Sequence, residues 1–166
     1  MPLPATIGDG PVQVARLERS DGAALRRFFF RLSRESIYRR FLRPVVHPEQ
    51  AHPERLLDVD HRDREALVGL IDGEIVGVAR YARQPGSNEA ELAVVVADAW
   101  QRRGIASLLL AALAEIALAA GIQAFTAVVH ADNVPVLGLI RRMKPSARLV
   151  LADGLLEGTL PLPWDG

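Results

Sequence analysis

Residues 91–107 read ELAVVVADAWQRRGIAS, and their pattern decides the architecture. A valine-rich run ends in a polar turn, and a helix begins at once. Ile105, Leu108, Leu109, Ala112, Leu113 and Ile116 fall at i, i+3, i+4, i+7, i+8 and i+11, one face of an α-helix. The joint is Gln101-Arg102-Arg103-Gly104-Ile105-Ala106. A helix N-terminus carries unpaired N–H groups and a partial positive charge, so it accepts a phosphate. Gly104 lets an anion approach the backbone, Ala106 is nearly as small, and Arg102 and Arg103 add charge. The dinucleotide fingerprint Gly-x-Gly-x-x-Gly and the P-loop Gly-Lys-Ser/Thr are both absent. By itself such a turn also fits an ordinary strand-to-helix connection.

Outward from this stretch, the spacing predicts strands at 12–17, 64–71, 74–83, 89–97 and 122–130, and a closing hairpin over 148–162. Asp72-Gly73 and Asp153-Gly154 are hairpin turns. Helices are expected at 23–32 after a Ser20-Asp21 cap, at 34–41, over the long run that Gly121 stops, and for about ten residues from Asp132 or Asn133. Residues 47–61 predict a helical turn or two around Leu56 and Leu57. In the long helix, Ala111, Ala114 and Leu118 form a second apolar face for another element or subunit, so a monomer and a homodimer both stay open. The first ten residues read as a loose tail and 11–166 as one domain.

Composition narrows the chemistry. Hydrophobic residues make up 49%, enough for a real core. A net charge of zero and a pI near 6.9 give no basic surface for nucleic acid or an anionic membrane. The apolar run 105–120 contains Ser107 and Glu115 and is short for a bilayer. The absence of cysteine excludes disulfides and thiolate chemistry, and with no visible signal peptide it fits the cytoplasm. His47, His52 and His61 lack metal-ligand spacing, so no metal is expected.

The turn resembles motif A of the GNAT superfamily of N-acetyltransferases, Gln/Arg-x-x-Gly-x-Gly/Ala after a valine-rich strand. The order β α α β β β α β α β β matches that fold, a mixed, mostly antiparallel α/β sheet of about seven strands flanked by about four helices. Leu32, Ser33, Glu35, Ser36, Tyr38, Arg40 and Phe41 resemble one branch, bacterial protein-lysine acetyltransferases, as do Asp58-Val59-Asp60, Ala66-Leu67-Val68 and the run from His130 to Pro135. Some members are fused to cyclic-nucleotide or acyl-CoA synthetase domains, for which 166 residues leave no room.

The resemblance implies a site. Gln101, Arg102, Arg103, Gly104, Ile105, Ala106 and Ser107 would cradle the pyrophosphate of acetyl-CoA. The backbones of Val94 and Val96 would pair with pantetheine in a gap between strands. An N–H of Val94 or Val95 would face the thioester oxygen, and Asn133 would contact the coenzyme. Glu91 stands where the branch carries a general base, on a strand face shared with Ala93 and Val95; apolar neighbours there would raise its pKa. Without the resemblance, these are core valines, a helix cap at Asn133 and a solvated glutamate. Glu35, Ser36, Tyr38 and Arg40 would shape the acceptor entrance, and His130 reads as a hydrogen-bonded strand end. The superfamily's leaving-group tyrosine falls at Ile140, and Met143-Lys144-Pro145 replaces Leu-Gly-Phe. The acceptor is expected to be a protein lysine, with an acyl-CoA synthetase among the partners. A small amine (polyamine, aminoglycoside or amino acid) and a non-catalytic acyl-CoA-sensing module are the alternatives.

Overall fold

The computed structural model describes residues 3–7, 10–33, 36 and 56–164. Its elements are β1 (Leu3–Ile7), β2 (Gly10–Arg16), α1 (Gly22–Phe30), β3 (Arg64–Ile71), β4 (Glu74–Arg83), β5 (Glu89–Val96), α2 (Ile105–Ala119), β6 (Ala124–His130), α3 (Val134–Met143), β7 (Leu149–Ala152) and β8 (Leu155–Pro161). One eight-stranded sheet runs β1-β2-β3-β4-β5-β6-β8-β7. Every neighbouring pair is antiparallel except β5–β6.

The expected architecture holds, with two differences. Leu3–Ile7 lies in a strand paired with β2, where the sequence reading put a loose tail; this adds the eighth strand. Three α-helices appear among the described residues. The helix expected at 34–41 and most of 47–61 lie outside them, as do Glu35, Tyr38, Arg40, His47 and His52. Leu56 and Leu57 do form a helical turn.

Local chemistry accounts for the ends of the elements. At both hairpins Asp and Gly take positive φ, 51° and 78° at Asp72-Gly73 and 53° and 76° at Asp153-Gly154. That is the turn whose twist suits a two-residue hairpin. Asp21 holds the N-cap position of α1, as expected, but its carboxylate makes no bond there; it accepts instead from the Glu18 N–H at 2.8 Å, closing the short 3₁₀ turn before the helix.

The sheet separates two cores. On one face Leu25, Phe28 and Phe29 of α1 pack on Leu17, Val78, Val95 and Ala97. On the other, α2 and α3 pack over Leu67, Ala79, Tyr81, Val96 and Phe125. α2 buries Ile105, Leu109, Leu110, Leu113, Ala114 and Ala117. Of its expected second face, Ala114 is buried, while Ala111 and Leu118 are exposed. Its first turns sit close to the sheet because Gly69 and Gly77 lie beneath Ile105. No helix among the described residues is long and apolar enough to cross a membrane.

Candidate active site

The site begins where two strands part. β5 pairs with β4 along its length, from Arg83↔Ala90 to Gly77↔Val96. With β6 it pairs only over Glu89–Glu91, against Ala124–Thr126. β6 then follows β8 for its whole length. The Ala97 N–H donates to the Val76 carbonyl at 2.8 Å, and hydrogen bonding alternates along a strand. Odd-numbered residues therefore bond to β4, and Leu92, Val94 and Val96 turn their backbone groups toward the gap. The Gln123 N–H donating to the Asn88 carbonyl at 2.8 Å fits the same alternation. Beyond Glu91 no described strand meets these groups. Val95 points its N–H at β4, so of the two valines weighed for the thioester oxygen, Val94 is the one on the gap side.

The turn after β5 is held from both ends. The Gln101 side-chain amide donates to the Val96 carbonyl at 3.0 Å and to Ser36 Oγ at 3.1 Å. Asp98 Oδ1 accepts from the Ser33 N–H and from Ser36 Oγ, each at 3.1 Å. Burial raises the pKa of Asp98, but the hydrogen bonds from Ser33 and Ser36 outweigh it and leave the carboxyl below its ordinary value. Arg102 (φ 63°) and Gly104 (φ 86°) are left-handed, which turns the chain sharply into α2. No side chain caps α2. Its first N–H groups thus face the open space, and the helix dipole adds positive potential there.

That space is a cavity of about 580 Å³ between β5, the turn, α2 and α3. Val94 to Val96, Gln101, Arg102, Gly104 to Ser107 and Asn133 all border it. Of the residues assigned to the coenzyme, only Arg103 does not; its guanidinium lies over the Trp100 ring, 5.1 Å from the centroid. Asn133 holds the N-cap position of α3, as the cap reading expected, but it is buried and its side chain makes no capping bond. The sequence reading missed Arg142, and it assigned Ser36, which also borders the cavity, to the acceptor entrance. The signal for Arg142 was its spacing from Val136 and Leu139 on α3, which puts all three on one helix face. Among the described residues, Arg102 and Arg142 are the only charged ones on the wall. Two guanidiniums and a helix N-terminus suit an anionic, phosphate-bearing ligand.

Glu91 stands at the vertex of the gap, opposite Ala82 in β4 and Thr126 in β6. It is exposed, on the α1 face of the sheet, and does not border the cavity. Ala93 and Val95 share its face, as expected. So does Arg80, which interacts with it electrostatically, and the surroundings are therefore not purely apolar.

A sequence profile of the acetyltransferase (GNAT) family matches residues 33–144. The chain belongs to the GNAT acetyltransferase family. It is an acetyltransferase whose acyl donor is acetyl-CoA. Acetyltransferase PA5475 of Pseudomonas aeruginosa is 32% identical over 126 residues, 74% of this chain and 68% of that one. Acetyltransferase Pat of Mycolicibacterium smegmatis is 38% identical over 116 residues, 67% of this chain but only 34% of that protein. The GNAT domain of S. lividans PAT superposes with a TM-score of 0.85 at 29% identity, covering 97% of each chain. These relatives are consistent with the bacterial protein-acetyltransferase branch. The paia N-acetyltransferase of Thermoplasma acidophilum, solved with coenzyme A, shares the fold at 17% identity (TM-score 0.73, 90% of this chain and 98% of that one).

Two positions singled out by the resemblance, Ile140 and the end of α3, are placed by the fold. Ile140 is buried in the core beside Leu139 and Met143, so that position offers no acid. α3 stops at Met143, and the Lys144 N–H bonds back to the Ile140 carbonyl at 2.8 Å. Tyr81 is no substitute: it is fully buried, its hydroxyl donates to the Arg62 carbonyl at 2.8 Å, and burial pushes its pKa up to about 12. His130 ends β6 and does not border the cavity. No cluster of His, Asp or Glu among the described residues is arranged to hold a metal.

Proposed function

We propose that this enzyme transfers the acetyl group of acetyl-CoA directly to a primary amine, and that the amine is a lysine side chain of a protein. The parting of β5 from β6 after Glu91 carries the reading. Val94 and Val96 supply backbone partners for the pantetheine amides, though the Val96 carbonyl already accepts from Gln101. The Val94 N–H stabilises charge developing on the thioester oxygen. Arg102, Asn133 and the N–H groups of Gly104 to Ser107 hold the pyrophosphate end.

A lysine ammonium with a pKa of about 10.4 is almost wholly protonated at neutral pH. Glu91 removes that proton, the nitrogen forms a bond to the thioester carbon, the carbon–sulfur bond breaks, and the nitrogen's second proton passes through solvent to the departed sulfur. The thiol's ordinary pKa of about 8.5 lets it leave as thiolate, so the hydrocarbon at Ile140 is tolerated. The protein-lysine acceptor is supported by likeness to Pat, of which this chain spans about a third.

The test is thiol release from acetyl-CoA against lysine peptides, an acyl-CoA synthetase, polyamines and aminoglycosides. Glu91→Gln should leave coenzyme binding intact and cut turnover about 10²-fold or more. A rate within about twofold of wild type would remove Glu91 from the mechanism. Gly104→Glu should abolish coenzyme binding. Coenzyme binding without release from any acceptor would instead mark an acyl-CoA-sensing module.

A further inference from the structure

Arg80 lies in the middle of the sheet, opposite Ala66 in β3 and Ala93 in β5. It is half-buried. Among the described residues, Arg16, Arg27, Arg31, Arg64 and Arg83 each meet a carboxylate. Arg80 makes neither an ion pair nor a hydrogen bond there. Desolvation of its guanidinium lowers its pKa, with Glu91 and Asp58 opposing that shift and Arg64 adding to it. The nearby loop carboxylates are already engaged: Arg64 lies 3.7 Å from both Asp58 and Asp60. A guanidinium held partly out of water with no carboxylate beside it is costly, and such groups gather at functional sites.

Its place gives the cost a purpose. Arg80 and Glu91 share the α1 face, and Arg80 sits two residues along β4 from Ala82, the register partner of Glu91. Diagonal neighbours of this kind are on the order of 7 Å apart. An amine delivered to Glu91 therefore arrives with whatever lies about that far from it facing Arg80. A second cation would be repelled, whereas a carboxylate would receive charge-assisted, bidentate hydrogen bonds.

We propose that Arg80 binds a carboxylate that the acceptor carries beside its reactive amine. This rests on Glu91 marking the acceptor side. The carboxylate has two sources, an acidic side chain flanking a protein lysine or the α-carboxylate of a free amino acid. Polyamines and aminoglycosides offer neither.

Two matched pairs test it: a lysine peptide with glutamate beside the lysine against the same peptide with glutamine, and free lysine against lysinamide. For wild-type enzyme, kcat/KM for the carboxylate-bearing member of at least one pair should be about tenfold or more higher, as a charge-assisted bond predicts. The pair that responds names the source. Arg80→Gln should collapse the ratio to within about twofold, and Arg80→Lys should keep part of it. Calorimetric titration of the same compounds onto CoA-loaded protein gives the comparison without turnover. A wild-type preference below about twofold in rate and in binding overturns the proposal, as does a preference that survives in Arg80→Gln. If Arg80→Gln fails to fold, the wild-type ratios and Arg80→Lys still decide. Glu91-dependent turnover without carboxylate preference would refute only the role of Arg80. Carboxylate-selective binding without turnover would refute only the catalytic reading.

Discussion

Replacing Gly77 by alanine should damage coenzyme binding from beneath the site. A Cβ on Gly77 would lie 3.2 Å from Ile105 Cγ2, 3.2 Å from Leu109 Cδ1 and 3.4 Å from Val96 Cγ2. Comfortable carbon–carbon contact begins near about 3.5 Å. Ile105 is 1% exposed and Leu109 0%, so neither can swing aside, and the relief must come from α2 rising off the sheet. Overpacking of this kind costs about 1–3 kcal/mol. Gly-to-Ala restriction of the unfolded chain returns about 0.4–1 kcal/mol. The net loss of about 0.5–2 kcal/mol is a drop of a few degrees in Tm for a chain of this size, at about 2–4 °C per kcal/mol. The functional effect follows because Ile105 comes directly after Gly104. Lifting the first turn of α2 shifts the N–H groups that face the cavity, so the KM for acetyl-CoA should rise severalfold while acceptor KM changes little. Gly69 is the internal control: a Cβ there meets the same Ile105 Cγ2 at 3.4 Å and nothing nearer, so Gly69→Ala should leave Tm level or slightly raised. The measurements are thermal denaturation and steady-state kinetics on both variants. If Gly77→Ala matches wild type in Tm and in acetyl-CoA KM, close seating of α2 does not position the turn.

Other consequences are checked as directly. Arg142→Ala should weaken coenzyme binding about tenfold in calorimetry at low salt, and less as salt screens the charge. Asp98→Ala removes the acceptor shared by Ser33 and Ser36, so Gln101 loses a fixed neighbour; KM for acetyl-CoA should rise, with kcat less affected. His61 lies 2.9 Å from the fully buried Glu65 and 3.3 Å from Glu18, with Arg16 3.6 Å from Glu65, and the hydrogen bond to Glu65 raises its pKa above the ordinary 6.5. A raised histidine pKa stabilises the fold fully below about 6.5 and loses that contribution as pH climbs through the folded-state value. The Tm deficit of His61→Asn, chosen because His61 has φ 59°, should therefore be largest near pH 6 and shrink toward pH 8.5.

Local rules were enough for most of the fold. The Asp-Gly pairs name their hairpins, and the period of Ile105, Leu109 and Leu113 names α2 and its buried stripe. The first strand was hidden because Leu3–Ile7 carries Pro4 and its pairing comes only from β2. Proline is tolerated at a sheet edge, but a short run containing it signals a loop.

The site divides along a similar line. Residues contiguous in the chain were readable as a unit, since Gln101 to Ser107 form one turn and one helix start whose chemistry needs no distant partner. The exception, Arg103, depends on the ring of Trp100, which draws its guanidinium aside from the cavity wall. Arg142 and Arg80 needed knowledge of pairing. Arg142 reads as a charge complementing the end of α3 until α3 is seen to border the cavity. Arg80 reads as one arginine among many in a strand until the register sets it diagonal to Glu91 and its lack of a partner becomes visible. Val94 and Val95 are indistinguishable by residue type; only the hydrogen bond from Ala97 to Val76 sets the phase that turns Val94 to the gap. What the sequence left open was thus the meeting of elements far apart in the chain, and on the reading proposed above those meetings govern which acceptor the enzyme takes.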